Sequence, residues 1–401
     1  MDYNRRDSHT IMSWLAFGWV PRETPEGDRV LRILKQAQDS DPNTFTYEFD
    51  KAVQRTLERV PNGPHCLMLS SGMDSRAILT ALRRHLDASD LVAASYGIPG
   101  SKEVVGAARA ASWANINHEV LDIATLKWTG VGDYLDDGGT IHGLFGPAYL
   151  GWSLQQHVGA RYVFWNGFMG GSSTGSRLPS PSSRTWQQAL ARFVNRNLRG
   201  VRTFLPTGVA PEVLLPSRPP AGRARLDDQA DLAYRQQCCI RPSNIFAPFT
   251  VAAPFDDEGW LDYALGLSSR WRVGQRLFHV AMHHSTPELF PTPPRRRPMK
   301  HVIRDAPGGV LLMRGRARLG SGRLSTQEGR HYSADELLAK SEVRELVASG
   351  LRSIENVAPW LNLHPWWELF AGTSRGRQYR ALLHLAAVGL AIATNDKGPA
   401  Y

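Results

Sequence analysis

Cysteine is scarce. Three are found in 401 residues, Cys66, Cys238 and Cys239, and the last two are adjacent. Their spacing offers neither a disulfide framework nor a paired metal-binding motif, which fits a reduced, cytoplasmic setting. No run of eighteen apolar residues occurs, so no membrane span is expected. The opening Met1–Asp7 lacks the apolar centre of a signal peptide, and no internal repeat is visible. What remains is a chain with 42% hydrophobic residues, long enough for two domains or for one large α/β domain with a helical companion.

Lysine is also sparse beside arginine, yet the net charge is +10. Such a balance suits nucleic acid, an anionic substrate such as ATP or an acidic peptide, or an arginine bias spread over a solvated surface. Most arginines are scattered, which favours the last reading. The exceptions are Arg295-Arg296-Arg297 with Lys300, and Arg314, Arg316, Arg318 and Arg323.

The periodicity predicts strands alternating with helices. Ser13–Pro21 reads as a short strand, followed by helices near Glu26–Gln38 and Thr44–Val60. In the second helix Phe45, Phe49, Val53 and Leu57 form a stripe facing the core. Strands are expected at Cys66–Leu69, Leu91–Tyr96, His118–Ile123 and Arg161–Trp165, with helices at Lys102–Trp113 and Leu144–Val158 between them. Alternation of this kind builds a parallel sheet with crossover helices. Gly167–Ser183 reads as a loop and candidate lid. Helices are expected at Thr185–Leu198, Leu226–Gln237, Asp257–Leu267, Val273–His283, Ala334–Ile354 and Arg377–Ala393, and a basic loop at Gly308–Arg330. Trp113, Trp152 and Trp165 are assigned to the core.

One stretch organises the rest. Cys66–Leu69 is a short, continuously apolar run that suits a strand buried on both faces. Ser70–Gly72 is a small-residue turn, and from Asp74 or Ser75 a helix carries Ile78, Leu79 and Leu82 at helical spacing. Such a helix start offers free N–H donors and a favourable dipole to a phosphate. Tyr96-Gly97 and Asn166–Ser173 fall at the carboxyl ends of neighbouring strands, where open α/β sheets bind ligands.

Ser70-Ser71-Gly72-Met73-Asp74-Ser75 resembles the pyrophosphate loop, Ser-Gly-Gly-x-Asp-Ser, of the N-type ATP pyrophosphatases, with Ser71 in place of the first glycine. Its flanks resemble the synthetase domain of asparagine synthetase, whose relatives include lasso-peptide macrocyclases and β-lactam synthetases. Further similarity lies in Gly132–His142, Glu103, His118-Glu119-Val120, Arg241–Asn244, Ala253–Asp257 and Pro287-Glu288-Leu289. The resemblance implies a parallel, doubly wound α/β sheet of the ATP-pyrophosphatase (adenine nucleotide alpha hydrolase-like) type with added C-terminal helices. It divides the chain into a lead-in at 1–60, a synthetase domain at 61–300, and a basic loop with helices at 301–401. The chain starts where the family's glutaminase would be finishing, and Asp2 follows Met1 where that domain needs cysteine, so glutamine hydrolysis is not expected.

The activity implied is amide formation driven by ATP and Mg²⁺. A carboxylate has no usable leaving group at neutral pH; adenylation supplies one, and the protein must neutralise the departing pyrophosphate. The resemblance makes Asp74 the Mg²⁺ ligand. It assigns Ser70, Ser71, Gly72, Met73 and Ser75 to the pyrophosphate, with Tyr96, Gly97, Gly167 and Arg241 completing the nucleotide site. Asp137 and His142 fall on the acyl substrate, His142 where the family usually has arginine. Two positions depart. Gly171 stands near the family's second metal acid, and Gln275 aligns with its lysine, leaving Arg276 and Lys300 as the candidate catalytic cations. Expected partners are a small-molecule or peptide carboxylate, with a separate glutaminase or a precursor peptide; nucleic acid and membranes are not expected. The alternative reading is a degenerate, non-catalytic homologue that binds a nucleotide or a partner.

Overall fold

The computed structural model describes residues 8–198, 204–216, 225–291, 334–355, 357–372 and 378–394. Among these, five strands form one parallel sheet in the order β3-β2-β1-β4-β5. They are β1 (His65–Met68), β2 (Leu91–Gly97), β3 (Asn117–Asp122), β4 (Val163–Trp165) and β5 (Thr250–Ala252). Strand β1 lies centrally, its Met68 opposite Ala94 of β2 and its Leu67 opposite Trp165 of β4. Cys66 and Leu67 are fully buried, as a strand covered on both faces requires. The order reverses direction at β1, between β2 and β4, and this is the switch point where a ligand crevice opens.

Helices cover both faces, α2 (Pro25–Gln36) among those on one side and α6 (Val131–Asp136) among those on the other. On one side α3 (Phe45–Arg59) and α4 (Met73–His85) pack over Leu67, Leu69 and Ala93, joined by α5 (Lys102–Trp113). On the other, α7 (Pro147–Val158) shares a core with Cys66, Ala94 and Phe164. That same core takes in the C-terminal helices Ala334–Leu338, Ser341–Glu355 and Tyr379–Thr394. The last two cross closely: a Cβ on Gly389 would lie 1.8 Å from the Gly350 carbonyl oxygen, so both positions need glycine. No helix among the described residues is long and apolar enough to cross a membrane.

Several expectations are corrected. Ser13–Pro21 is not a strand: α1 (Ser8–Phe17) is a helix, closed by a Gly18 N–H to Trp14 carbonyl bond of 2.8 Å. Gly18 turns the chain at φ +79°, as a glycine just past a helix end does. A short run that is apolar all round has no period to separate helix from strand. Helix α4 begins at Met73 with Gly72 as its N-cap, one or two residues before the expected start at Asp74 or Ser75. Trp113 ends α5 and is 39% exposed. The helix expected at Ala334–Ile354 is two, broken between Leu338 and Ser341. Gly167–Ser183 is no open lid, because a short helix, α8 (Gly170–Ser173), sits buried inside it. The basic loop at Gly308–Arg330 and the arginine run at 295–297 lie outside the described residues.

Candidate functional site

The carboxyl ends of β1, β2 and β4 open on a cavity of about 880 Å³. Ser70, Gly72, Asp74 and Ser75 line it from the bend between β1 and α4, and Tyr96 from the end of β2. His142 and Gly167 reach it from the approach to α7 and the exit of β4. Ser71, Met73, Gly97, Asp137, Arg241 and Arg276 are not on its wall. Lys300 lies outside the described residues.

The bend is braced from within. Ser75 Oγ accepts the Ser70 N–H at 3.1 Å, and Ser70 Oγ accepts the Gly72 N–H at 3.0 Å. Ser71 points elsewhere: its N–H donates to Glu103 Oε1 at 3.1 Å and its hydroxyl donates to Glu103 Oε2. Gly106, one turn further along α5, makes room for it, since a Cβ there would meet Ser71 Cβ at 2.7 Å. Serine in place of the pattern's first glycine is therefore accommodated, and the Glu103 carboxylate is brought to the edge of the phosphate seat. A like charge beside a bound anion opposes it. Glu103→Gln keeps an acceptor for Ser71 and removes the charge, and is expected to tighten pyrophosphate binding by about tenfold. Calorimetric titration reads this, and unchanged or weaker binding would contradict it.

Helix α4 opens on the cavity without a side-chain cap, whereas the next crossover helix, α5, is capped by Ser101. Uncapped first-turn N–H groups and the helix dipole attract an anion. Asp74, second residue of the helix, supplies the opposite charge. Its Oδ1 is buried with no hydrogen-bond partner. Burial pushes its pKa from 3.8 up to about 7, against the pull of a hydrogen bond from the Gly171 N–H. The carboxylate lies in a cradle of glycines: a Cβ on Gly167 would sit 2.8 Å from Asp74 Cβ, and one on Gly170 only 2.6 Å from Asp74 Cγ. From Gly171 an added Cβ would lie 3.7 Å from Asp74 Oδ2, so this position faces the same carboxylate. Among the described residues no three acids, histidines or cysteines come together as a metal cluster. A hard cation here has one protein carboxylate, and phosphate and water oxygens would complete its shell.

The glycine cradle is itself pinned. Arg272 Nε donates to the Ser173 carbonyl at 3.1 Å while its two Nη groups pair with Asp228 at 2.7 and 3.1 Å. Ser172 Oγ donates to Asp231 at 3.0 Å, and Trp260 Nε1 donates to Ser173 Oγ at 3.1 Å. Gln275 has left-handed backbone (φ +58°) and donates to Thr174 Oγ1 at 2.7 Å. Behind the bend, Ser95 Oγ donates to the Leu69 carbonyl at 2.7 Å and lies 2.8 Å from His118 Nε2. Burial lowers the His118 pKa.

The remaining sequence candidates have other employment. Asp137 accepts from Trp152 Nε1 at 2.7 Å and from Gln156. Arg241 pairs with Asp256 at 2.8 Å, a carboxylate it shares with Arg29. Arg276 is exposed on the surface. Asp257 caps the helix Glu258–Gly266 through the Trp260 N–H at 3.0 Å. Its carboxylate also pairs with Arg55 and Arg59.

Among the cavity residues that escaped the sequence reading are Gln155, Arg235, Arg380 and His384. Gln155 left a signal. It follows Ala148 and Gly151 at helical spacing on the inward face of α7, where a fully buried carboxamide is out of place. Its Nε2 donates only to the Met68 sulfur, at 3.4 Å, and its Oε1 has no partner. Arg380 and His384 come from the last helix, and nothing local marks them.

Residues 44–127 match the asparagine synthase family model. No curated protein matches the chain. The asparagine synthase-like segment holds α3, β1, the bend, α4, β2, α5 and β3. It therefore supplies the part of the cavity wall that carries Asp74 and Glu103. The opposite wall, from His142 through α7 to the last helix, lies beyond it.

Proposed function

We propose that this chain is an ATP-dependent, AMP-forming amide ligase of the asparagine synthase type. The observation that carries the reading is Asp74: a buried, half-satisfied carboxylate beside an uncapped helix start, at the switch point of a parallel sheet. The orphaned Oδ1 and the glycine cradle suit a divalent cation. Mg²⁺ held by Asp74 would neutralise phosphate charge. The N–H groups opening α4, with the Ser70 and Ser75 hydroxyls beside them, hold the pyrophosphate end of ATP. A carboxylate oxygen of the acyl substrate attacks the α-phosphorus, and the bond to the β-phosphate oxygen breaks as pyrophosphate leaves. An amine or ammonia then forms the amide by attack on the acyl carbon, releasing AMP. No lysine among the described residues lines the cavity, so its cations are Arg380 and Arg235, the latter also paired with Asp231, and His142 and His384 share the wall. The family match, the cavity's position and the fit of its residues support this reading.

The test is exchange of labelled pyrophosphate into ATP in the presence of a carboxylate substrate. Carboxylate-dependent exchange is expected, abolished in Asp74→Ala. The second reading, a nucleotide-binding homologue without catalysis, draws on Gln275 being engaged with Thr174 where a lysine is usual. It predicts retained Mg·ATP binding with no exchange for any carboxylate.

A further inference from the structure

Besides Asp74, Gln155 sets an orphaned atom in the cavity wall. It lies on the inward face of α7, fully buried, and its Oε1 has no hydrogen-bond partner. Its Nε2 donates to the Met68 sulfur at 3.4 Å. A thioether sulfur accepts a hydrogen bond and has no proton to give. The amino end of the carboxamide therefore belongs against Met68, because the reversed amide would set oxygen against sulfur, acceptor against acceptor. Met68 thus fixes Oε1 as a lone acceptor. An acceptor buried without a donor is destabilising, and neither the phosphate seat nor the glycine cradle uses this one.

Its place in the cavity tells what would meet it. Met68, Leu69, Ala94 and Ser95 line the cavity where β1 and β2 end, and Gly151 and Gln155 face them from α7. A Cβ on Gly151 would lie 3.6 Å from the Met68 methyl, so glycine keeps the space over that methyl open. Ser95 is engaged, donating to the Leu69 carbonyl at 2.7 Å and lying 2.8 Å from His118 Nε2. That leaves apolar surface and one oriented acceptor, a lining that holds a flat heteroaromatic ring by its faces and reads one group on its edge. A thioether also packs well on such a ring. Met68 precedes Ser70 by two residues, about 7 Å of strand. A nucleotide whose phosphates rest on the bend therefore brings its base to this recess, with the ribose spanning the difference.

We propose that Gln155 reads the base of the nucleotide, its Oε1 accepting a hydrogen bond from the exocyclic amino group of adenine. Met68 is a positioning residue, holding the amide with its oxygen towards the ring. A guanine or hypoxanthine base would set its own carbonyl oxygen against Oε1, and two buried acceptors in contact are rejected. The proposal rests on the nucleotide seat of the ligase reading and goes beyond it in naming a base-specific contact. Gln155 lies outside residues 44–127, the segment that matches the asparagine synthase family.

The experiment titrates Mg·ATP and Mg·ITP calorimetrically into the full chain. The two share ribose and triphosphate and differ on one edge of the purine, an amino group against a carbonyl. The wild type is expected to bind Mg·ATP at least about tenfold more tightly. Gln155→Met, close in volume and without the acceptor, is expected to shrink the preference to about threefold or less, chiefly by weakening Mg·ATP. Met68→Leu frees the amide to turn and is expected to shrink the preference as well, here by tightening Mg·ITP. A residue that merely filled space would move both nucleotides together. Equal binding by the wild type, tighter Mg·ITP, or a preference unchanged in either variant overturns the proposal while the phosphate seat stands. Binding of neither nucleotide overturns both. Pyrophosphate exchange is measured separately. If the preference for Mg·ATP holds and exchange fails, base recognition stands and the ligase reading falls.

Discussion

Asp74→Asn is expected to stabilise the metal-free protein at pH 8 while removing its response to Mg²⁺. The physical reason is the desolvated carboxylate, whose pKa is pushed up to about 7. The folded state holds this proton more tightly than the unfolded chain. Stability is therefore full below the unfolded value of 3.8, falls as pH rises towards 7, and carries the whole cost above it. A displacement of that size corresponds to about 4 kcal/mol at full desolvation. Asp74 keeps part of its surface open to the cavity, so a gain of about 1–3 kcal/mol is expected from the neutral amide. Denaturant unfolding at pH 5 and pH 8 measures it. The variant should be more stable than the wild type at pH 8, with a gap at pH 5 of roughly 40% of that size, closing below pH 3.8. A variant less stable at pH 8 would mean the carboxylate is satisfied in a way the structure does not describe. The cost borne by the wild type is a charge kept in readiness for a cation.

The second large effect lies one shell away. Asp228→Ala leaves the Arg272 guanidinium, 3% exposed, without its counter-charge. Breaking a buried pair from one side costs about 3–5 kcal/mol, and a fall of that size is expected in urea unfolding. Replacing both partners, Asp228→Leu with Arg272→Met, is expected to recover most of the loss, because a buried pair and a well-packed apolar pair are close in stability. It should not recover Mg²⁺ affinity. Arg272 also holds the Ser173 carbonyl at 3.1 Å, and so positions the short helix on which Asp74's glycine cradle is built. A double variant with restored stability and wild-type Mg²⁺ affinity would show that Arg272 has no part in positioning.

These two sites show where the sequence was informative. The bend at Ser70–Ser75 was legible because an apolar run, small residues and a helical stripe occur in that order and each has a local cause. The α/β alternation was legible for the same reason, and α5 fell at Lys102–Trp113 as expected. Strand β5, at the edge of the sheet with Thr250 exposed and Val251 half-buried, lacks the fully buried apolar run that marked β4. Helix α1 was lost because its second half, Trp14-Leu15-Ala16-Phe17, is apolar on every side. Arg241 and Asp137 sit in segments of the right type, but their side chains are engaged by Asp256 and Trp152, partners 15 residues away in each case. Partnership of that kind is tertiary, and a motif does not state it. Gly167, a nucleotide-site candidate, and Gly170 lie in a segment that reads as a loop, and only the fold sets both against Asp74.

The central claim is that Asp74 and the bend before it receive the metal-bound phosphates of a nucleotide. Calorimetric titration of Mg·ATP into the wild type and Asp74→Asn, at pH 6 and pH 8, tests it most directly. The account predicts binding by the wild type that is stronger at pH 8, with proton release at pH 6 as the carboxyl gives up its proton, and little binding by the variant at either pH. Equal binding by the two proteins, or a wild-type affinity indifferent to pH, would contradict it.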